Sequence, residues 1–222
     1  KRRISISSAV SNFEWNKHRI NIIDTPGDAN FAMDTRNCLR VVDGAVIVID
    51  SVGGVEFQTE KVWAYAADNN LPRIIYVSKM DRERADYLKA VDSIFDLLGQ
   101  KATPVFLPLG NEDSFRGLID LIDMKALLFD EAKGKIKRED IPPDMVEAAN
   151  AGREAMVEDI AESDEALMDK YLEEGTLSSD ELRTGLRTAV MAGEIVPAAC
   201  GCSLKHIGTA ALMAMVTELF PS

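Results

Sequence analysis

The sequence predicts an α/β fold: a doubly wound, mostly parallel sheet that carries an inserted α/β subdomain. Short apolar runs rich in β-branched residues alternate with helical patterns through the first hundred residues. Such alternation produces parallel sheets with right-handed crossovers. The pattern changes near residue 101 and returns near residue 193. We therefore expect a main domain formed by 1–100 and 193–222, interrupted by a subdomain at 101–192.

Three short, nearly continuous apolar runs are typical of parallel strands buried on both faces, and they lie at 19–23, 44–50 and 73–77. Helices are predicted at 55–69, between the second and third runs, and at 83–98, after the third run, because apolar residues recur there at helical spacing. In the second helix the predicted packed positions are Ala85, Leu88, Val91, Ile94, Phe95 and Leu98. Gly99 then suits the left-handed position that ends a helix.

The region 101–192 is predicted to be a second α/β unit. Its expected elements are strands at 101–109 and 117–122, a polar hairpin-like stretch at 130–140 and a helix beginning at Pro142-Pro143. A further helix begins at Ser178, where Glu181 three residues later completes a capping box. Strand character returns at 195–200, and a terminal helix is expected over 207–219.

Composition restricts the class of protein. The 222 residues carry a net charge of −12, which argues against nucleic-acid binding through a broad basic face. It favours basic protein partners or a role in solubility. No apolar run reaches the roughly 20 residues that a membrane span requires, and no secretory signal is visible. The three cysteines are typical of reduced thiols, so we expect a cytoplasmic protein. We do not expect them to form a zinc site. The first residue is Lys, which we interpret as the start of a fragment.

The run Asp24-Thr25-Pro26-Gly27 follows the predicted strand at 19–23. An aspartate at the carboxyl end of such a strand can hold Mg²⁺ through water. The Gly27 amide can meet the terminal phosphate of a nucleotide, because no side chain stands between backbone and phosphate. The alternative is a local turn, since Asp, Pro and Gly all favour turns.

The run Ser78-Lys79-Met80-Asp81 follows the predicted strand at 73–77. In a guanine site, the lysine stem lies along the base and the aspartate accepts the two guanine N–H groups that adenine does not offer. The alternative is an ordinary polar loop. Because Lys79 comes 55 positions after Asp24, with two predicted strands and a predicted helix between them, we favour a guanine nucleotide site.

Two weaker signals are consistent with such a site. The turn containing Cys202 and Ser203 follows the last strand and can present a backbone amide to the guanine oxygen; the alternative is a plain strand-to-helix turn. The hydroxyl of Ser5 can ligate Mg²⁺ when a switch segment closes, and the alternative is an edge strand. The phosphate-binding loop G-x-x-x-x-G-K-[ST] does not occur in the sequence. We expect it upstream of Lys1, and we expect the chain alone to bind GTP weakly.

With these residues, the chain resembles the GTPase domain of elongation factor G, a P-loop NTPase-type fold. The resemblance runs nearly end to end and is carried by 24–27, 40–44, 54–56, 79–81, 107–110 and 124–126. Elongation factor Tu and small GTPases lack the insertion, and the run 112–120 is more similar to elongation factor G than to release factor 3.

The resemblance implies a GTPase that uses GTP/GDP and Mg²⁺ and couples hydrolysis on the ribosome to translocation. It implies that Asp24 and Ser5 serve Mg²⁺, and that the insertion contacts the ribosomal stalk protein. Direct contact with nucleic acid is not expected from this acidic chain. Two alternatives remain open: an elongation factor G-like paralogue that acts as a slow or non-hydrolysing GTP-dependent switch on the ribosome, and an interaction module independent of nucleotide.

The chain departs from the family pattern at residues that bear on catalysis. Asp28 occupies the position of the histidine that positions the attacking water, Ser78 replaces an asparagine, and Cys202-Ser203 replaces a Ser-Ala pair. A carboxylate about 4 Å from the γ-phosphate would repel it by on the order of 4 kcal/mol at an effective dielectric constant near 20. We therefore expect that Asp28 points away from the nucleotide or that hydrolysis is slow.

Overall fold

The computed structural model describes residues 5–130 and 135–221. The strands are β1 Ala9–Trp15, β2 His18–Asp24, β3 Ala45–Asp50, β4 Arg73–Ser78, β5 Ala102–Pro104, β6 Phe106–Leu109, β7 Gly117–Asp120, β8 Lys125–Asp130, β9 Lys135–Glu139 and β10 Val196–Cys200. The helices are α1 Ala32–Cys38, α2 Phe57–Asp68, α3 Tyr87–Leu98, α4 Val146–Glu162, α5 Glu165–Glu174, α6 Ser179–Ala192 and α7 Thr209–Leu219. Short 3₁₀ turns lie at Ala29–Phe31, Glu112–Ser114, Pro143–Met145 and Ser203–Lys205.

A parallel sheet in the order β3-β4-β10-β5 forms the centre of the molecule. Every residue of β4 is buried, and so is every residue of β10. Strands covered on both faces are the reason for the continuous apolar runs in the sequence. The predicted α/β class with a parallel sheet is confirmed.

The prediction of a buried parallel strand at 19–23 is wrong. In the structure β2 pairs antiparallel with β1, from Ala9 opposite Asp24 to Trp15 opposite His18. Ile22 is 40% exposed. The reason is the turn between the strands: Asn16 and Lys17 have φ values of 45° and 65°, the left-handed pair that closes a two-residue hairpin. An apolar run predicts a strand but does not determine which other strand it pairs with.

Helices α2 and α3 lie where helical spacing predicts them. Asp86 caps α3 by accepting a hydrogen bond from the Lys89 amide, and Gly99 ends it at φ 68°. The packed side of α3 is formed by Tyr87, Ala90, Val91 and Ile94. Leu88 and Phe95 are 54% and 61% exposed, so their predicted packing is wrong, because the buried stripe begins one residue before Leu88.

The insertion contains an antiparallel sheet in the order β6-β7-β8-β9, together with α4, α5 and α6. The capping box of α6 is confirmed: the Ser178 amide donates to the Glu181 carboxylate at 3.0 Å, and the Glu181 amide donates to Ser178 Oγ. Helix α5 has no counterpart in the predicted elements. Strand β5 pairs with β10, so the chain leaves the parallel sheet only after Pro104. The division at 101 and 192 stays a prediction.

The parallel sheet and the insertion share one hydrophobic core, which contains Ile49 and Ile75 from the sheet together with Leu118 and Ile160 from the insertion. A smaller cluster of Leu39, Ala45 and Ala66 connects α1 to the sheet. In the part of the chain that the structure describes, no helix is long and apolar enough to cross a lipid bilayer.

Candidate functional site

The loop after β4 is held at the carboxyl edge of the parallel sheet by hydrogen bonds to the residues that follow the two neighbouring strands, β3 and β10. Lys79 has φ 61°, a conformation uncommon for a residue with a side chain. Its carbonyl accepts a hydrogen bond from Ser51 Oγ at 2.9 Å, just beyond β3. On the other side the Met80 amide donates to the Gly201 carbonyl at 3.2 Å, just beyond β10. The loop therefore has a defined backbone path.

Asp50, the last residue of β3, binds the Lys79 side chain. The Lys79 ammonium lies 2.7 Å from Asp50 Oδ2, and the Arg82 guanidinium lies 3.2 Å from the same oxygen. Partial burial raises the pKa of Asp50, but the Lys79 hydrogen bond and the amides of Val52 and Gly53 outweigh it and lower the pKa to about 2. Sequence reasoning missed Asp50. Its available signal was an acidic residue at the end of a predicted strand.

Asp81 and Cys202 come from loops that meet, since the Met80 amide of one loop donates to the Gly201 carbonyl of the other. Burial raises the pKa of the Cys202 thiol, and the nearby Asp81 carboxylate raises it further. Cys202 is 1% exposed, whereas Ser203 is exposed. The predicted guanine residues Lys79, Asp81 and Cys202 thus converge at the ends of two neighbouring parallel strands.

The turn after β10 requires glycine at position 201. A Cβ placed on Gly201 would overlap both the Tyr76 hydroxyl and the Ile207 carbonyl oxygen. The Cys202 and Ile207 backbones exchange hydrogen bonds of 2.9 and 3.1 Å, which close the turn. The turn is therefore tightly packed, which suits a loop that is predicted to present a backbone amide at a fixed position.

The second predicted loop follows β2. Asp24 is exposed, Thr25 is half-buried and Pro26 is buried. The Pro26 carbonyl accepts a hydrogen bond from Thr35 Oγ1 of α1 at 3.2 Å, which fixes the loop to the helix. A Cβ on Gly27 would meet nothing within 4 Å, so the space beside this backbone is open.

Asp28 caps the 3₁₀ turn that follows this loop. Its Oδ1 accepts hydrogen bonds from the Asn30 backbone amide at 2.9 Å and from Asn30 Nδ2 at 2.8 Å. This local pairing gives the carboxylate a structural role. The expectation that Asp28 points away from a bound nucleotide stays a prediction.

The structure does not connect the two loops through a sheet: within residues 5–130 and 135–221, β2 is hydrogen-bonded to β1 and not to β3. Ser5 is exposed. No cluster of three or more His, Cys, Asp or Glu side chains suited to a metal occurs in the described ranges. An exposed carboxylate such as Asp24 nonetheless suits Mg²⁺, which binds through one or two carboxylates plus water and phosphate oxygens.

Comparison with known proteins decides the family. The family model described as "Elongation factor Tu GTP binding domain" matches residues 1–222. The chain belongs to this family. It is a GTP-binding domain of a translation GTPase.

A solved structure supports the same assignment. A crystal structure of a protein from Thermus thermophilus matches this translation GTPase domain with a TM-score of 0.89 and 30% sequence identity. The match covers 99% of this chain and 33% of that one, so the chain spans about a third of the length of the solved relative. The parallel sheet and the insertion therefore both have counterparts in a larger protein.

Proposed function

We propose that this chain is the GTPase domain of an elongation factor G-type protein, which couples GTP binding and hydrolysis on the ribosome to translocation. The observation that supports the guanine site best is that the loops after β4 and β10, which carry Lys79, Asp81 and Cys202, are joined by the hydrogen bond from the Met80 amide to the Gly201 carbonyl at 3.2 Å. The insertion supports the elongation factor G type, because the resembling runs 107–110, 112–120 and 124–126 lie within its sheet or its turns.

Each predicted residue has a task in this proposal. Asp81 accepts the guanine N–H groups, and the Lys79 stem covers the base. The amides near Ser203 face the guanine oxygen, and Ser78 supports the base loop. On the phosphate side, Gly27 donates its amide to the γ-phosphate. Thr25 and Pro26 shape that turn.

Mg²⁺ would be held by Asp24, through water, and by the hydroxyl of Ser5. When bound, the ion neutralises charge that develops on the phosphate oxygens. The partners would be the ribosome and, through residues 101–192, its stalk protein, in the cytoplasm. No direct contact of this acidic chain with nucleic acid is proposed.

A second candidate function is a slow or non-hydrolysing GTP-dependent switch on the ribosome. Asp28 favours it, because a carboxylate stands where the family has histidine and is engaged with Asn30. GTP turnover by the full-length protein, measured with and without ribosomes, separates the two. Strong stimulation by ribosomes supports the translocase, and binding without stimulated turnover supports the switch.

The guanine site has a direct test. In the full-length protein, Asp81→Asn replaces an acceptor by a side chain that can also donate. The variant should therefore lose affinity for GDP and gain affinity for xanthosine diphosphate, whose base carries an oxygen where guanine carries an amine. Glu83→Gln, at an exposed position of the same loop, is the matched control. Unchanged GDP affinity in Asp81→Asn would overturn the assignment.

A further inference from the structure

Asp50 gathers four hydrogen bonds at the carboxyl end of β3. The donors are Lys79 Nζ at 2.7 Å, Val52 N at 2.9 Å, Arg82 Nη1 at 3.2 Å and Gly53 N at 3.3 Å. In the parallel register, Asp50 lies opposite Ser78, the residue before Lys79. The carboxylate is thereby placed beside the loop that carries the predicted guanine contacts, although it belongs to a different strand.

We infer that Asp50 is a positioning residue of the guanine site: it anchors the Lys79 ammonium so that the lysine stem is already in place as a wall for the base. This inference rests on the proposed guanine site. A lysine side chain has four flexible methylene groups, and ordering it is unfavourable. If the lysine is already ordered before the nucleotide binds, the entropy lost in ordering it does not weaken nucleotide binding.

The residues around the pair are arranged to hold the lysine at both ends. Ser51, 3% exposed, donates to the Lys79 carbonyl, while Asp50 holds the ammonium. The amides of Val52 and Gly53 fix the carboxylate in turn. The last residue of β3 and the residue after it therefore determine where the lysine begins and where its charge lies.

The strength of the Asp50–Lys79 ion pair depends on how far its two side chains are exposed to solvent. The side chains of Lys79 and Asp50 are 48% and 21% exposed. Water and salt screen such a pair, so its contribution is modest. Arg82 is a second cation on the same carboxylate oxygen. A test of anchoring must therefore separate the effect of the Asp50–Lys79 contact from that of the Asp50–Arg82 contact.

A double-mutant cycle in the full-length protein tests the inference. The dissociation constant of a fluorescent GDP analogue is measured for wild type, Asp50→Asn, Lys79→Met and the double variant. Asn keeps an oxygen for the amides of Val52 and Gly53, so the turn is retained. We expect Asp50→Asn to raise the dissociation constant about 5-fold at low salt, as a partly exposed charge pair allows. In the Lys79→Met background it should have no further effect.

The controls separate anchoring from a structural role. Arg82→Met should change the dissociation constant by less than about 2-fold, because Arg82 does not contact the base in this arrangement. The thermal midpoint of Asp50→Asn should fall, because a carboxylate whose pKa is lowered in the folded state stabilises the fold. The Lys79→Met background therefore separates anchoring from a general loss of stability, since only anchoring depends on Lys79. An equal loss of affinity in the Lys79→Met background, or no loss from Asp50→Asn, would overturn the anchoring. If wild type fails to bind GDP, the proposed function falls first and the inference falls with it.

Discussion

Glu112, in the turn between β6 and β7, accepts a hydrogen bond from the backbone amide of Arg84 at 2.8 Å. Arg84 follows the predicted guanine residue Asp81 by three positions, whereas Glu112 belongs to the insertion. Both residues have positive φ, 66° for Arg84 and 50° for Glu112. Two unusual backbone conformations are thus joined by one hydrogen bond, which connects the insertion directly to the loop beside the proposed nucleotide site.

Glu112→Ala should loosen the loop that follows Asp81, because the Arg84 amide loses its acceptor. With a net contribution of about 1 kcal/mol for such a bond, hydrogen exchange across residues 82–87 should become about 5-fold faster. GDP should also dissociate faster than from wild type. Hydrogen-exchange mass spectrometry and release of a fluorescent GDP analogue measure the two effects.

Two control variants test whether this hydrogen bond holds the loop that follows Asp81. Glu112→Gln keeps an oxygen acceptor and should exchange at nearly the wild-type rate, and Asp113→Ala changes the exposed neighbouring residue. Equal exchange in Glu112→Ala and Glu112→Gln would show that the hydrogen bond does not hold the loop.

Two glycines should respond to the same substitution very differently. Gly201→Ala forces a Cβ into the Tyr76 hydroxyl and the Ile207 carbonyl, so it should lower the free energy of unfolding by about 3 kcal/mol. Gly27→Ala enters open space and should change it by less than about 0.5 kcal/mol. Urea unfolding compares the two. In the full-length protein, Gly27→Ala should instead weaken binding of GTP relative to GDP. Equal loss of stability in both variants would contradict this arrangement.

Replacing Asp28 should change turnover more than stability. Asp28→His removes a negative charge near the expected γ-phosphate, and we expect ribosome-stimulated GTP hydrolysis to rise at least about 10-fold, since repulsion by a carboxylate at this range is on the order of several kcal/mol before screening. Asp28→Asn retains an oxygen for the Asn30 amide and serves to separate charge from capping. Rates equal to wild type in both variants would mean that Asp28 does not limit hydrolysis.

Asp120 should make stability depend on pH. Burial raises the pKa of Asp120, partly offset by the hydrogen bonds from the Asp123 and Ile122 amides. A carboxyl group with a raised pKa in the folded state favours folding when protonated. This contribution is fully present below the ordinary pKa of 3.8 and is lost as pH rises through the raised value. Above the raised pKa the folded protein therefore carries an unfavourable buried charge.

Asp120→Asn should accordingly be more stable than wild type at pH 8, with a difference that shrinks as pH falls toward 4. Asp120→Ala removes the acceptor of both amides and should be less stable by about 1–3 kcal/mol at every pH. Urea unfolding between pH 4 and pH 8 measures both. A gain in Asp120→Asn that does not vary with pH would show that the charge is not its cause.

Much of the candidate site could be predicted from local sequence, because its residues sit at the ends of strands. β4 and β10 were predicted from apolar runs, and the carboxyl ends of adjacent parallel strands lie at one edge of a sheet. That rule places Lys79 and Cys202 near each other before any coordinates are known. It does not specify which atoms meet, and the contacts of Asp50 were missed for that reason.

By itself, the sequence determined the class of fold, the positions of α2 and α3 and the capping box at Ser178, and it predicted a guanine nucleotide site. These follow from the residue types and periodicity of short segments. Only the tertiary structure decided that β2 pairs with β1, that Asp50 holds Lys79 and that Glu112 holds the Arg84 amide. Each of these joins segments whose own patterns are equally compatible with other partners. The choice depends on register, on turn geometry and on which elements pack together.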